Sequence, residues 1–230
     1  MEIKRMNFLK KKLFVKHKLI LSFIVDKNVV HFGCIDDSVD IIESKIKNNI
    51  YLHKLITEKS KKCIGIDINT SLIDFLKDKY LINNIAFGNV ENPDTFNFDI
   101  NILKETEVLV IADLIEHLNN PGQMLNGIKK CFSKKTKVLI LIPNPFTYLN
   151  FAFTLLNREF YNIYHTCYLS TNNMKVLLSN NGFKINNVYP CFLPKDRGWL
   201  INSTDLVINH LLTIFTYGFC DDYLYECEIE

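Results

Sequence analysis

Two carboxylates and an imidazole stand close together in Asp113-Leu114-Ile115-Glu116-His117, directly after the apolar run Val108-Leu109-Val110-Ile111. Such a run reads as a buried strand, so the polar residues after it arrive at one edge of a sheet. If Leu114 to Leu118 begin a helical turn, positions 113, 116 and 117 follow an i, i+3, i+4 pattern and share one face. Side chains of these types can exchange protons or ligate a cation. Plainer roles stand beside these: Asp113 capping a helix, and Glu116 and His117 lining a pocket. Leu118-Asn119-Asn120-Pro121-Gly122 then leads into the next helix.

The elements that must position these residues alternate between strand-like and helix-like, the signature of a βαβ architecture. Residues 7 to 25 read as a leading helix, Asn28 to Phe32 as a first strand and Val39 to Thr57 as a helix. Lys62 to Ile66 reads as a second strand ending at Asp67. Asn69-Thr70-Ser71 caps a helix over 71–80. Further strands are expected at Asn84 to Phe87, Glu107 to Ala112 and Lys137 to Ile142, with a helix from Pro121 to Phe132. Pro143 to His165 is turn-rich and aromatic and reads as an insertion over the sheet edge, with a substrate-side region of about 143–170. A helix from Thr171 to Asn180 stops at Asn181-Gly182, and Phe183 to Tyr189 resumes as a strand. The stretch 190–218 has no clear pattern apart from helical spacing over Leu206 to Phe215. Tyr223 to Ile229 alternates as a last strand. The expectation is one α/β domain over 1–230: a Rossmann-like, doubly wound, seven-stranded and mainly parallel sheet with helices on both faces.

Composition agrees with one substantial core: 230 residues, 48% hydrophobic and 23% charged, without a Gly/Ser/Pro-rich linker. The 27 basic and 25 acidic residues leave a formal charge of +2, which does not favour nucleic acid. The seven cysteines are scattered singly with no CxxC pair, as suits free thiols in a reducing cytoplasm. Cys34 reads as a small apolar filler. Leu19 to Val25 is too short for a membrane span and lacks the small-residue cleavage site of a signal peptide. His17 and His210 read as residues without function, and His31 and His53 as satisfied polar residues. Aromatic residues in 190–218 would suit a homodimer interface.

The order of these pieces resembles class I S-adenosylmethionine-dependent methyltransferases over roughly residues 28 to 190. Ile64-Gly65-Ile66-Asp67-Ile68 is similar to the family's second strand, whose terminal acid accepts hydrogen bonds from the cofactor's ribose hydroxyls. Gly88-Asn89-Val90-Glu91 resembles the segment lying along the adenine. The Glu-His-Leu and Asn-Pro-Gly of the opening stretch, followed by Val138 to Pro145, and His165-Thr-Cys-Tyr-Leu-Ser170 continue the likeness. The family's first loop reads acidic-x-Gly-x-Gly-x-Gly, whereas this chain has His31-Phe32-Gly33-Cys34-Ile35-Asp36-Asp37 and keeps only the first glycine. That loop, with Leu52-His53-Lys54, is similar to a variant found in methyltransferases of bacterial surface-glycan gene clusters.

The resemblance implies S-adenosylmethionine between Gly33 and Asp67, touching His31, Gly33, Cys34, Ile35, Asp67, Ile68, Asn89, Val90, Glu91 and Asp113. The acceptor would enter between Asp113 to His117 and the 143–165 insertion. In ubiquinone-pathway and small-RNA 2′-O-methyltransferases a Glu-x-x-Glu-His motif holds a divalent metal, and the RNA enzymes add a downstream histidine. Asp113, Glu116, His117 and His165 resemble that set, which suits Mg²⁺ or Mn²⁺ better than Zn²⁺. Without a metal, His117 or His165 could serve as a general base. The implied activity is O-methylation of a small or carrier-linked acceptor such as a surface-polysaccharide sugar. A non-catalytic methyltransferase-like scaffold and a metal-dependent RNA 2′-O-methyltransferase are the alternatives.

Overall fold

A computed structural model describes residues 12–158, 162–192 and 217–230. The strands are β1 (Phe14–Val15), β2 (Asn28–Phe32), β3 (Lys62–Asp67), β4 (Ile85–Phe87), β5 (Val108–Ala112), β6 (Lys137–Pro143), β7 (Phe183–Phe192) and β8 (Asp222–Ile229). They form one sheet in the order β1-β7-β8-β6-β5-β2-β3-β4. β8 runs antiparallel to β6 and β7, and the other neighbouring pairs are parallel. The chain winds outward from β2 through β3 to β4, then returns to place β5 on the other side of β2. That reversal is the topological switch point, where α/β sheets open a crevice beyond the strand ends.

The helices are α1 (Lys16–Ile24), α2 (Val39–Lys47), α3 (Leu52–Lys59), α4 (Thr70–Tyr80), α5 (Asn101–Lys104), α6 (Pro121–Cys131), α7 (Tyr148–Leu155) and α8 (Thr171–Asn180). Alternation along the strands fills both faces of the sheet. Val30, Phe32, Leu109, Ile111, Val138 and Ile140 pack with Met124, Leu125 and Ile128 of α6 on one face. Val29, Val108, Val110, Leu139 and Leu141 pack with Ile20 and Ile24 of α1 and Ile56 of α3 on the other. Each such side chain contributes about 1.5–3 kcal/mol on full burial, and this two-sided core holds the strand ends in register. α6 begins where expected, with Asn120 Oδ1 accepting from Gln123 N at 3.1 Å and Pro121 in the first turn.

Three expectations are corrected. Among the described residues the sheet has eight strands rather than seven, because Phe14 and Val15 pair with Cys191 and Phe192 on the outer edge of β7. Of the expected leading helix, residues 7–11 lie outside the described residues, Phe14 and Val15 are strand, and the helix runs over Lys16–Ile24. The single helix expected over Val39 to Thr57 is two, since Asn49 takes a left-handed φ of 55° and stops the first after Asn48. Asn tolerates that conformation better than most residues. The Pro143 to His165 insertion carries a helix, α7. The helical spacing over Leu206 to Phe215, His210 and most of the 190–218 stretch lie outside the described residues. Among the described residues no helix is long and apolar enough to cross a membrane.

Candidate active site

A cavity of about 270 Å³ opens beyond the ends of β2 and β5, between the loop after β2, the loop after β5 and the 143–165 insertion. Gly33, Ile35 and Asp36 form one wall, and Asp113, Glu116, His117 and His165 another. Gly33 has φ +61°, and a Cβ there would lie 2.8 Å from Leu114 Cδ1, so both the backbone and the space demand glycine. Its N–H donates to Ile66 O at 2.9 Å, which turns the loop toward β3.

Asp67 fixes that loop. It is 9% exposed; its Oδ2 accepts from Ile35 N and its Oδ1 from Asn69 N, each at 3.0 Å. Burial pushes its carboxyl pKa up, against the pull of those backbone donors. Cys34 is buried and its carbonyl accepts from Tyr51 Oη at 2.9 Å; burial also raises its thiol, so it is a packed filler as read. Ile68 is exposed beside Asp67. The turn after β4 is tied together by Asn89, whose N–H donates to Thr95 Oγ1 at 2.8 Å and whose Oδ1 accepts from Glu91 N at 3.0 Å. The Glu91 carboxylate accepts from Asn120 N and so joins this turn to the start of α6. The Val90 side chain is buried in the main core.

The opening carboxylates part company. Ile115–His117 form a 3-10 turn rather than the start of an α-helix, and no side chain caps it. Asp113 therefore caps nothing. It adopts φ +50°, donates its N–H to Leu141 O at 3.1 Å and places Oδ2 2.8 Å from Lys16 Nζ. Lys16 is 7% exposed and also lies 3.6 Å from Asp222 Oδ2. Burial opposes the Lys16 cation, but Asp113 and Asp222 outweigh it and hold its pKa above the ordinary lysine value. Lys16, through its charge and its hydrogen bond, holds the Asp113 carboxyl below the ordinary aspartate value. Asp222 is pushed up to about 7, chiefly by burial.

Glu116, His117 and His165 do converge: one ligating atom from each lies within 4.8 Å of the others, and Asp113 is not in this group. Backbone pairing brings His165 there, because Thr166 N donates to Glu116 O at 2.9 Å and Thr166 Oγ1 to Leu118 O at 2.8 Å. His117 Nδ1 lies 3.1 Å from Tyr164 O. A carbonyl can only accept, so Nδ1 carries a hydrogen. Glu116 Oε2 and His165 Nδ1 are buried without a hydrogen-bond partner. Burial, then the Asp113 charge, raise the Glu116 carboxyl to about 8. Burial, then His117, lower the His165 pKa, so its ring is neutral at neutral pH.

His17, read as functionless, lines the cavity, and burial followed by Lys16 lowers its pKa to about 4. Sequence reasoning missed His17, Lys16 and Asp222. No local motif marks them: Lys16 stands in a lysine-rich stretch, and only β1 pairing on β7 carries it to the strand ends. His31 and His53, read as satisfied, pair through Nδ1 at 3.3 Å, but neither Nε2 has a partner.

No family model and no curated protein matches the sequence. Solved structures do match the fold. A SAM-dependent methyltransferase from Archaeoglobus fulgidus is 17% identical with a TM-score of 0.56, covering 92% of this chain and 94% of its own. One from Aquifex aeolicus is 13% identical with a TM-score of 0.56, covering 95% and 91%. Magnesium protoporphyrin IX methyltransferase from Synechocystis, with SAH bound, is 10% identical with a TM-score of 0.56, covering 94% and 82%. The chain has the fold of these methyltransferases.

Proposed function

We propose that the chain is an S-adenosylmethionine-dependent methyltransferase. The observation carrying this reading is the juxtaposition at the switch point: a left-handed Gly33 loop latched to Asp67 on one side of the cavity, and Glu116, His117 and His165 on the other. The residues fit the cofactor. Gly33 has no Cβ where one would fill space, and the Asp67 carboxylate, with about four acceptor sites, takes backbone donors from Asn69, Ile35 and Ile68 and keeps capacity for a further one. Asp67 would take the ribose hydroxyls, and residues 88–91 would lie along the adenine. Once bound, S-adenosylmethionine supplies an electrophilic methyl sulfonium.

The chain's own residues supply the acceptor side. The neutral His165 ring, with the His117 ring 4.8 Å away, can take a proton from an acceptor hydroxyl, which attacks poorly while protonated. The protonated Glu116 carboxyl can donate a hydrogen bond rather than repel an electron-rich oxygen. We assign the acceptor as an oxygen on a small or carrier-linked surface-polysaccharide sugar, on the strength of the sequence resemblance. Calorimetry tests the reading: wild type should bind S-adenosylhomocysteine in the micromolar range and Asp67→Ala should not. A wild type that does not bind overturns it, and measured methyl transfer would eliminate a purely scaffolding role.

The convergence of Glu116, His117 and His165, with two orphaned buried polar atoms, favours a second reading in which these residues hold Mg²⁺ or Mn²⁺. Such an ion would lower the pKa of an acceptor hydroxyl. Activity lost with EDTA and restored by Mn²⁺ supports this reading; activity unchanged by EDTA rejects it.

A further inference from the structure

His117 and His165 line the cavity, and the next residue on each segment, Leu118 and Thr166, lines a second groove of about 830 Å³ between the start of α6 and α8. Thr166 Oγ1 donates to Leu118 O at 2.8 Å, which ties the two segments together where cavity and groove meet. A molecule lying in the groove would adjoin an acceptor held beside His117 and His165.

The lining of the groove is unusual for a surface helix. Asn172, Val176 and Asn180 recur at i, i+4 and i+8 and share one face of α8. Leu169 and Leu177, half-buried against the main core, supply an apolar floor, and Val176 is 60% exposed. Asn119 joins them from the segment before α6. The side-chain amides of Asn119, Asn172 and Asn180 have no hydrogen-bond partner among the described residues. Nor does any carboxylate, ammonium, guanidinium or imidazole of the described residues line the groove. The outward face of a helix ordinarily carries charge, and asparagine is a poor helix former. Three asparagines in the ten residues of α8 are a choice that helix stability does not favour.

That lining selects a ligand by chemistry. An amide presents a donor and an acceptor side by side, which matches hydroxyls that do both. Leu169, Val176 and Leu177 suit the C–H faces of a sugar ring. A carboxylate or phosphate would find no cation there and would lose hydration without return.

We propose that the groove is an acceptor subsite for the uncharged, hydroxyl-rich sugar units that flank the one methylated in the cavity, so that the acceptor is an oligosaccharide rather than a monosaccharide. The proposal rests on the methyltransferase reading and deepens its sugar acceptor.

The test is a concentration series of the full chain, with S-adenosylhomocysteine present, on an array of neutral and acidic bacterial oligosaccharides and their monosaccharides. Wild type should bind neutral oligosaccharides in preference to their monosaccharides and to acidic glycans. The double variant Asn172→Ala/Asn180→Ala should bind them at least about tenfold more weakly, as expected for the loss of two hydrogen bonds, and should keep wild-type S-adenosylhomocysteine affinity by calorimetry. Alanine is the better helix former, so α8 is not put at risk. Equal binding of monosaccharides, a preference for acidic glycans, or oligosaccharide binding unchanged in the variant overturns the proposal. A wild type that binds S-adenosylhomocysteine but no neutral oligosaccharide overturns it as well, whereas a wild type that does not bind S-adenosylhomocysteine overturns the methyltransferase reading itself.

Discussion

Lys16 Nζ and Asp113 Oδ2 lie 2.8 Å apart although the first follows the edge strand β1 and the second follows β5, four places away in the sheet order. The register explains the meeting. Phe14 pairs with Cys191, Cys191 with Asp222 and Asp222 with Pro143, so the start of α1 lands above the ends of β6 and β5. The ion pair commits the Asp113 carboxylate to Lys16, while Asp113 still lines the cavity with Glu116.

Lys16→Met should destabilise the fold by about 2 kcal/mol. It leaves the Asp222 carboxylate buried without its cation, while the Asp113 side chain, 44% exposed, recovers part of its loss from water. Urea denaturation measures this, and a double-mutant cycle with Asp113→Asn should return a favourable coupling. Additive single effects would show that the pair contributes nothing.

Asp222 predicts a pH slope. Its carboxyl is raised from 3.8 to about 7, so the folded state binds the proton more tightly than the unfolded chain. Its contribution to stability is fully present below 3.8 and is lost as pH rises through about 7. Asp222→Asn has no proton to lose there. The fall in unfolding free energy between about pH 5 and about pH 8 should be smaller in this variant than in wild type; identical profiles would refute the assignment.

Gly33→Ala should cost about 2 kcal/mol, since φ +61° is strained for an L side chain and the new Cβ would press on Leu114 at 2.8 Å. The same change displaces the loop that Asp67 latches through Ile35, so S-adenosylhomocysteine affinity should fall with stability. A variant with wild-type thermal stability and affinity would show that the loop does not need this conformation.

What was legible in the sequence depended on distance along the chain. The β5 and β6 strands are continuous apolar runs, and Asp67, Glu116 and His117 sit at or just after strand ends that local pattern reveals. The break at Asn48-Asn49 was hidden because apolar periodicity continues across it. The two-residue β1 has no periodicity to detect, and its pairing depends on the exposed edge of β7. Lys16 and His17 were missed with it, and Asp113 was grouped with Glu116 because spacing is blind to a cation arriving from the far end of the sheet.

The separation of Asp113 from the three converging donors yields the sharpest test of metal binding. If spacing governed, Asp113 would be a ligand and its loss would weaken the ion most. In the structure its carboxylate is committed to Lys16, and among the described residues only Glu116, His117 and His165 bring donor atoms within 4.8 Å of one another. Mn²⁺ titrations followed by electron paramagnetic resonance should therefore show binding to wild type that Asp113→Asn leaves within about twofold. His165→Ala should reduce binding at least about tenfold, as expected when one of three protein ligands is removed. A loss confined to Asp113→Asn would return Asp113 to the ligand set, and no Mn²⁺ binding by wild type would leave His117 and His165 as metal-free bases.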